Sequence, residues 1–518
     1  MPLATLNPDI PTERFANLRK AGTSLSKLKK GIEKEALRTT LDGRLSQEAH
    51  PAELGSPLTN SSITTDFSES QLELITRVHT STKECLEELA NIQAYVNKNI
   101  DEQLLWPHSM PCHINKNENI PLAQYGSTNW AQSKTIYRRG LSNRYGSLMQ
   151  TISGIHYNFS ISDECWLKLG FNDRDARTQG YFDLIRNFRR WSWLLIYLFG
   201  ASPIIPKGLA LSSNDSEMLE LDEKTLYKPY ATSLRMGPMG YQSEAQNAFS
   251  ISYNSLAEYI KGMRTALTKN HQTYENIGLQ KAGIYQQLNT SLLQIENEFY
   301  GSIRPKRVAA AGERQISALQ NRGVEYIEVR CLDLDPYQSI GITESQIRFI
   351  DTFLIMCLLS ESPPNTTEEN ELINLNQTNV VDRGRQDQLI LKNPFEITLE
   401  AWANLLIKEC KVVAEVLDEA NDCCLYTDSV AIQDVKIKDS QQTPSAILLS
   451  HLKNSGQSFQ DLGIQLALKH KDEQRSSLPP NISSKLHRQS LNSISKLKEM
   501  EQSREEPFEK FLEIYTSV

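Results

Sequence analysis

No two cysteines in this 518-residue chain are spaced as CxxC. The eight present, Cys85, Cys112, Cys165, Cys331, Cys357, Cys410, Cys423 and Cys424, are scattered, which argues against a zinc site or a disulfide framework and for reduced thiols in a cytoplasm. Neither GxxxxGK[ST] nor GxGxxG occurs, so a P-loop or Rossmann nucleotide site is not expected. Basic residues form no long run, and 55 Lys and Arg face 63 Asp and Glu. The net charge of −8 therefore gives nucleic acid no electrostatic hold. The opening MPLATLNPDIPTERF lacks a basic segment followed by an apolar one and does not read as a signal peptide. The most apolar run, Trp191 to Ile205, is shorter than the ~20 residues a membrane-spanning helix needs; it reads as a buried helix ending at Gly200. No internal repeat is present.

What remains is an ordinary globular chain, 39% hydrophobic and 23% charged, long enough for a sizeable core. Apolar spacing predicts helices over 13–30, 82–105, 177–199, 255–268, 345–361 and 398–418, and a polar helix near 484–504. GIEKEALRTTLDGRLS reads as a strand, an Asp42–Gly43 turn and a returning strand. SGIHYNFSIS, LLQIENEFY and VEYIEVR alternate as strands. Such alternation suits antiparallel strands with one face on the core and one open to ligand or solvent. From about residue 363 the character changes: SPPNTTEENELINLNQTN is polar and loop-like, and the last seventy residues are rich in Ser, Lys, Gln and Glu. We expect residues 1–362 to be a catalytic core and 363–518 a mainly helical region packed on it.

Four acidic segments carry candidate chemistry. In GIEKEAL, Glu33 and Glu35 share a strand face. In TTDFSESQLELIT, Asp66 precedes Glu73, which alternates with Leu72 and Leu74. In SGIHYNFS, His156, Asn158 and Ser160 oppose Ile155, Tyr157 and Phe159. In VEYIEVRCLDLDP, Tyr326, Glu328 and Arg330 oppose Ile327, Val329 and Cys331. Each alone fits a solvated face. Together, carboxylates gathered on one sheet would raise one another's pKa unless cations neutralise them, and hard divalent ions with oxygen ligands would do so. IENEFYGSIRPKR places Arg304, Lys306 and Arg307 just after Tyr300, either a surface loop or a cationic cradle for polyphosphate. Asp333 and Asp335 lie on the opposite parity from Glu328 and read as serving the turn into Pro336.

The segments GIEKEALR, HPAELGSPLTN, ITTDFSESQLELIT, MPCHI, AQYGSTN, YRRGLSNRYGSLMQTISGIHYNFS, YLFGASP, YATSLRM, QIENEFYGSIRPKR and GVEYIEVRCLDLDP resemble, in order, the gammaproteobacterial glutamate–cysteine ligases. That resemblance implies an α+β fold, similar to the catalytic part of glutamine synthetase: a curved, largely antiparallel sheet lined by metal-binding carboxylates, with helices outside. It implies ATP-dependent ligation of the L-glutamate γ-carboxylate to the L-cysteine amino group through γ-glutamyl phosphate, the first step of glutathione synthesis. Mg²⁺, with Mn²⁺ an alternative, would assist phosphoryl transfer.

Carried over by motif, Glu33, Glu35, Asp66, Glu73, His156 and Glu328 resemble the metal set, with Glu328 and Arg330 catalytic and Arg330 against the transferring phosphoryl group. Arg235 of YATSLRM resembles the residue holding a glutamate carboxylate, a task a guanidinium suits by pairing bidentately. Asn158 and Gln150 would add polar contacts. Tyr137, Tyr241 and Tyr300, with Phe67 and Leu141, resemble the pocket for the cysteine side chain. Arg138, Lys306 and Arg307 would contact nucleotide or phosphate. The resemblance also implies a cytoplasmic monomer, independent of membrane and nucleic acid, with feedback inhibition by glutathione. Gln71 departs from the family in being polar, which bears on packing alone. A carboxylate–amine ligase for another acceptor, or a non-catalytic metal-dependent binding protein on the same scaffold, are the competing readings.

Overall fold

A computed structural model describes residues 7–115, 118–210, 217–238, 240, 251–310, 312–475 and 477–517. Its centre is a seven-stranded antiparallel sheet. The strands are β1 (Lys29–Thr40), β2 (Ile63–Thr65), β3 (Gln71–Ile75), β4 (Gln103–Leu105), β5 (Ile155–Ser160), β6 (Ile303–Lys306) and β7 (Tyr326–Leu332). They run in the order β6-β7-β5-β1-β3-β2, with β4 added to the far end of the long β1. The helices that frame the sheet are α1 (Thr82–Asn99), α2 (Asn129–Tyr145), α3 (Arg174–Phe199), α4 (Glu344–Leu359), α5 (Leu399–Asn421), α6 (Phe459–Arg475) and α7 (Phe508–Thr516). The class is α+β, as the family resemblance implies.

Alternation sorts the sheet into two faces. Ile32, Ala36, Leu72, Leu74, Ile155, Tyr157, Phe159, Ile327 and Val329 are buried. They look towards a helical layer in which α3 packs on α4 and on the β6–β7 edge, and α5 packs on α4. Two lysines share that core side: Lys30 Nζ sits 2.7 Å from Asp351 of α4, and Lys34 Nζ donates to Gln93 Oε1 of α1 at 2.5 Å. A buried ammonium is tolerated when a specific acceptor meets it.

Several elements differ from the reading of the sequence. The helix over 13–30 stops at Ala21, because Gly22 takes φ 50 and the chain continues as a 3₁₀ turn, Gly22–Lys27. The helix over 82–105 ends at Asn99, and β4 follows. The returning strand after Gly43 shrinks to a single bridge, Thr39 to Leu45. Gln103–Leu105, all three buried, take the pairing positions along Arg38–Thr40 instead. LLQIENEFY is not a strand: the Gln294 N–H donates to Glu298 Oε2 at 2.6 Å and Glu296–Glu298 form one 3₁₀ turn, so side chains satisfy the backbone locally. The strand lies just beyond, at β6. The stretch from Ser362 is loop for only a few residues before a helix, Thr367–Arg383. Its buried stripe is Glu369, Ile373, Asn376 and Val380, two of them polar, with Glu369 2.6 Å from Arg190. Those polar members hide the helical period.

Candidate active site

The front of the sheet collects the charged residues by register. Glu33 pairs with His156 across β1–β5 and Glu35 with Glu73 across β1–β3. Glu328 lies between Asn158 of β5 and Arg304 of β6. A register shift in β7 after Val329 re-aims the strand at Arg330. The result is a compact polar cluster. His156 Nδ1 is 3.3 Å from Glu33 Oε2 and 3.9 Å from Glu328 Oε1, and its Nε2 is 3.4 Å from Glu35 Oε1. Arg330 Nη1 is 3.2 Å from Glu328 Oε2 and 3.3 Å from His156 Nδ1. Lys306 Nζ lies 3.5 Å and Arg304 Nη1 3.9 Å from the Glu328 carboxylate. Asn158 Nδ2 donates to Glu33 Oε1 at 2.8 Å and the Gly154 N–H to Glu35 Oε2 at 2.7 Å.

These groups form two electrostatic halves. Around Glu328, burial pushes the carboxyl up, but Lys306, Arg330, His156 and Arg304 together hold it well below the usual glutamate range. On the other side, burial pushes Glu73 well above that range, and Glu33, Asp66 and Glu35 push it further. Glu35 is also raised, by burial first, with Asp66 adding and His156 opposing. Glu33 lies between: burial raises it, but the His156 hydrogen bond leaves it below its ordinary value.

The acid-rich half suits a cation. Ligand atoms of Glu33, Glu73 and His156 lie within 4.8 Å of one another. His156 Nε2 and Asn158 Oδ1 are buried without a hydrogen-bond partner. Moreover, Nδ1 of His156 faces both a carboxylate oxygen and a guanidinium N–H, and no single tautomer serves both. A hard divalent ion would meet carboxylate and imidazole donors here and relieve the repulsion.

Two cavities meet at Glu33. One, about 300 Å³, is lined by Glu33, Asp66, Glu73, His156, Glu328 and Arg330, and by the expected residues Phe67, Tyr137, Arg138, Leu141, Gln150, Tyr300 and Lys306. Gln150 Nε2 donates to Tyr300 Oη at 3.0 Å. Arg138 donates to the Asp66 carbonyl and lies over the Tyr125 ring, 4.6 Å from its centre. The other cavity, about 990 Å³, is lined by Gly31, Glu33, Asn158, Tyr326 and Arg307 among others.

Not every expected residue faces these cavities. Glu35 is buried behind the first, clasped by Gly154. Arg235 is fully buried and lines neither: Nη2 donates to the Arg330 carbonyl at 3.0 Å, and a Cβ at Gly154 would collide with its guanidinium. Tyr241 lies outside the described residues. The basic run is divided between the two cavities: Arg304 and Lys306 line the smaller, while Arg307 lines the larger and donates to the Arg322 carbonyl at 2.5 Å. Asp333 is more than a turn residue. It accepts from the Ala201 N–H at 2.8 Å, Ser202 Oγ at 2.6 Å and Ser233 Oγ at 3.0 Å, and stands 3.7 Å from Arg235. Asp335 does serve the turn, accepting from the Tyr337 N–H at 3.1 Å. Polar Gln71 is buried and donates to the Ile152 carbonyl at 3.2 Å.

Sequence reasoning passed over Trp130, Lys134, Asn297 and Tyr515, all lining the smaller cavity. The helical spacing of Trp130, Lys134, Tyr137 and Leu141 could have grouped the first two with the expected pocket residues. For Tyr515, almost four hundred positions away, no local signal exists.

Residues 15–380 match the family described as glutamate-cysteine ligase. The glutamate–cysteine ligase of Saccharophagus degradans is 43% identical over 95% of this chain and 94% of its own. A crystal structure of glutamate–cysteine ligase from Francisella tularensis in complex with AMP superposes with TM-score 0.90 at 37% identity, covering 95% of this chain and 97% of that one. A bifunctional glutathione synthetase from Pasteurella multocida shares the fold, with TM-score 0.70 at 24% identity over 90% of this chain and 55% of that one. These likenesses define the chain as a ligase. The chain belongs to the glutamate–cysteine ligase family, and its reaction joins those two amino acids.

Proposed function

We propose that the chain joins the γ-carboxylate of L-glutamate to the amino group of L-cysteine, consuming ATP through γ-glutamyl phosphate. The observation carrying this reading is the split of one cluster into an acid-rich half and a cation-rich half, at the meeting point of two cavities. The larger cavity has room for a nucleotide, and the AMP held by the Francisella relative supports the use of an adenine nucleotide. The smaller takes the amino acids. Glu33, Glu73 and His156, with Glu35, Asp66 and Glu328, would hold Mg²⁺ or Mn²⁺, which when bound neutralises phosphate charge.

The chain's own groups do the remainder. Arg330 and Lys306, with Arg304, orient the phosphoryl group and balance its charge as the glutamate γ-carboxylate attacks phosphorus and ADP departs. Arg235 and Asp333 hold the backbone beneath Arg330. Phe67, Tyr137, Leu141 and Tyr300 enclose the cysteine side chain at the apolar end, with Gln150 fixing the Tyr300 hydroxyl. Apolar walls exclude water, which would otherwise hydrolyse the acyl phosphate. The cysteine nitrogen, once deprotonated, then adds to the acyl carbon and phosphate leaves. The thiol chemistry belongs to the substrate.

Among the described residues no helix is long and apolar enough to cross a membrane. Six of the cysteines are buried as free thiols, which fits a reducing cytoplasm, and we assign the enzyme there as a monomer, residues 1–362 bearing most of the catalytic groups. Phosphate release from ATP tests the function: we expect turnover with glutamate plus cysteine, and little with ammonia or glycine as acceptor. Strong turnover with ammonia alone would assign another carboxylate–amine ligase, and nucleotide binding without turnover would make it a binding protein. Glutathione should inhibit competitively with glutamate, and non-competitive kinetics would place its site elsewhere.

A further inference from the structure

The apolar end of the smaller cavity is closed by a part of the chain that none of the family motifs reaches. Tyr515 of α7 lines it together with Trp130, Tyr137 and Tyr300. The ring of Tyr515 meets Trp130 edge-on with centroids 5.4 Å apart, and Arg314 lies over it at 5.7 Å. The α7 residues Phe508, Leu512 and Tyr515 belong to a small apolar cluster with Ile136, Leu288 and Ile295. Tyr137 packs on both this cluster and the main core. Phe508, Phe511, Leu512 and Tyr515 follow the i, i+3, i+4, i+7 pattern of a single helix face.

α7 and the residues before it are anchored at both sides of the cavity. On one side, the Ser127 N–H donates to Glu501 Oε1 at 2.8 Å and the Asn129 N–H to Glu505 Oε2 at 2.7 Å. Both contacts lie at the start of α2, the helix that carries Tyr137 and Leu141. On the other side, Arg314 Nη1 donates to the Tyr515 carbonyl at 2.7 Å, and Arg314 Nη2 pairs with Glu296 Oε2 at 2.9 Å. Glu296 opens the turn that leads to Tyr300. The helix therefore spans the two segments that supply the walls of the apolar end.

We propose that α7 is the outer wall of the acceptor-amine pocket and that the Tyr515 ring sets how large an acceptor side chain the pocket admits. The proposal rests on the assignment of this end to cysteine. A ring lost from a snug apolar pocket weakens binding of a small ligand and relaxes rejection of longer ones. Buried area at this end contributes to acceptor binding, with the nucleotide in the other cavity untouched, so the effect should separate by substrate.

The test is steady-state phosphate release by full-length Tyr515→Ala, Tyr515→Phe and Glu296→Gln, with cysteine, 2-aminobutyrate or norleucine as acceptor. For Tyr515→Ala, KM for cysteine should rise about tenfold and the norleucine-to-cysteine ratio of kcat/KM should rise by a similar factor. KM for ATP should stay within about twofold. Tyr515→Phe keeps the ring and should recover most of the loss. Glu296→Gln, which frees Arg314 without entering the cavity, should shift cysteine KM in the same direction by less. The proposal is overturned if Tyr515→Ala leaves cysteine KM and the acceptor ratio unchanged, or raises KM for ATP as much as for cysteine. A wild-type chain that turns over with another amine but not with cysteine would overturn the cysteine assignment itself, and the proposal with it.

Discussion

Glu35 and Glu73 stand directly opposite each other across the β1–β3 ladder. Like charges in that position repel, and both carboxyls are raised, by burial first and then by neighbouring carboxylates. Without a divalent ion, Glu73→Gln should stabilise the fold by about 1 kcal/mol while phosphate release falls about 100-fold. Thermal melting in chelator and a turnover assay read the two effects, and a lower melting temperature for the variant would refute the strain.

The same shifts fix a pH dependence. Folded carboxyls raised above 4.5 hold protons that the unfolded chain has released, so their contribution to stability is lost as pH rises through that interval. Added Mg²⁺ should therefore raise the melting temperature more at pH 8 than at pH 6. An equal rise at both would show that the cluster does not bind the ion through these groups.

Arg330 is shared between Glu328 and His156 on the cation-rich side. Arg330→Lys keeps the charge but not the planar fork, and kcat should drop at least about tenfold with the fold intact. An unchanged kcat would remove Arg330 from phosphoryl stabilisation. Glu328→Gln is a harsher change than the alternating strand alone suggests, because it leaves Arg304, Lys306 and Arg330 without their carboxylate. It should abolish turnover and also cost stability, on the order of 2 kcal/mol, read by denaturant unfolding.

Asp333→Asn strips the buried counter-charge from Arg235, whose ion pair is completely enclosed. Burial pushes Asp333 above its ordinary range while Arg235 and two hydroxyls pull it back, so the pairing is needed to keep the site ionised. Breaking it should cost about 3 kcal/mol. Denaturant unfolding of the variant checks this, and a loss under about 1 kcal/mol would make the pair dispensable.

Lys34 lies on the core side of β1, its pKa pushed down to about 7 by burial. Between that value and 10.5 the unfolded chain binds the proton that the folded chain has lost, so this group's contribution makes stability rise with pH. Lys34→Met should remove that rise: its melting temperature relative to wild type should be higher at pH 7 than at pH 9. A difference independent of pH would mean that the ammonium is not penalised in the fold.

Much of the site is legible one strand at a time. Period-two alternation separates Glu33 and Glu35 from Ile32, and Glu328 and Arg330 from Ile327 and Val329, because a strand has only two faces. It also explains why Arg304 and Lys306 part from Arg307. Alternation misleads in LLQIENEFY, where Glu298 and Gln294 bond the local backbone. Polarity misleads in Thr367–Arg383, which reads as loop, because polar Glu369 and Asn376 are buried where partners from other elements meet them. Asp333 was misjudged for the same reason: parity shows which side a residue faces, and Ser202, Ser233 and Arg235 come from elsewhere in the chain.

The sequence by itself determined the carboxylate-bearing strands, their polar faces and the family, since these depend on residue types at short spacing. Only the tertiary structure decided which carboxylate opposes which, that Arg235 sits beneath Arg330 in place of facing a cavity, and that Tyr515 closes the pocket begun at Trp130. Those relationships depend on strand register and on helix α7 returning across the chain, and neither leaves a trace in local spacing.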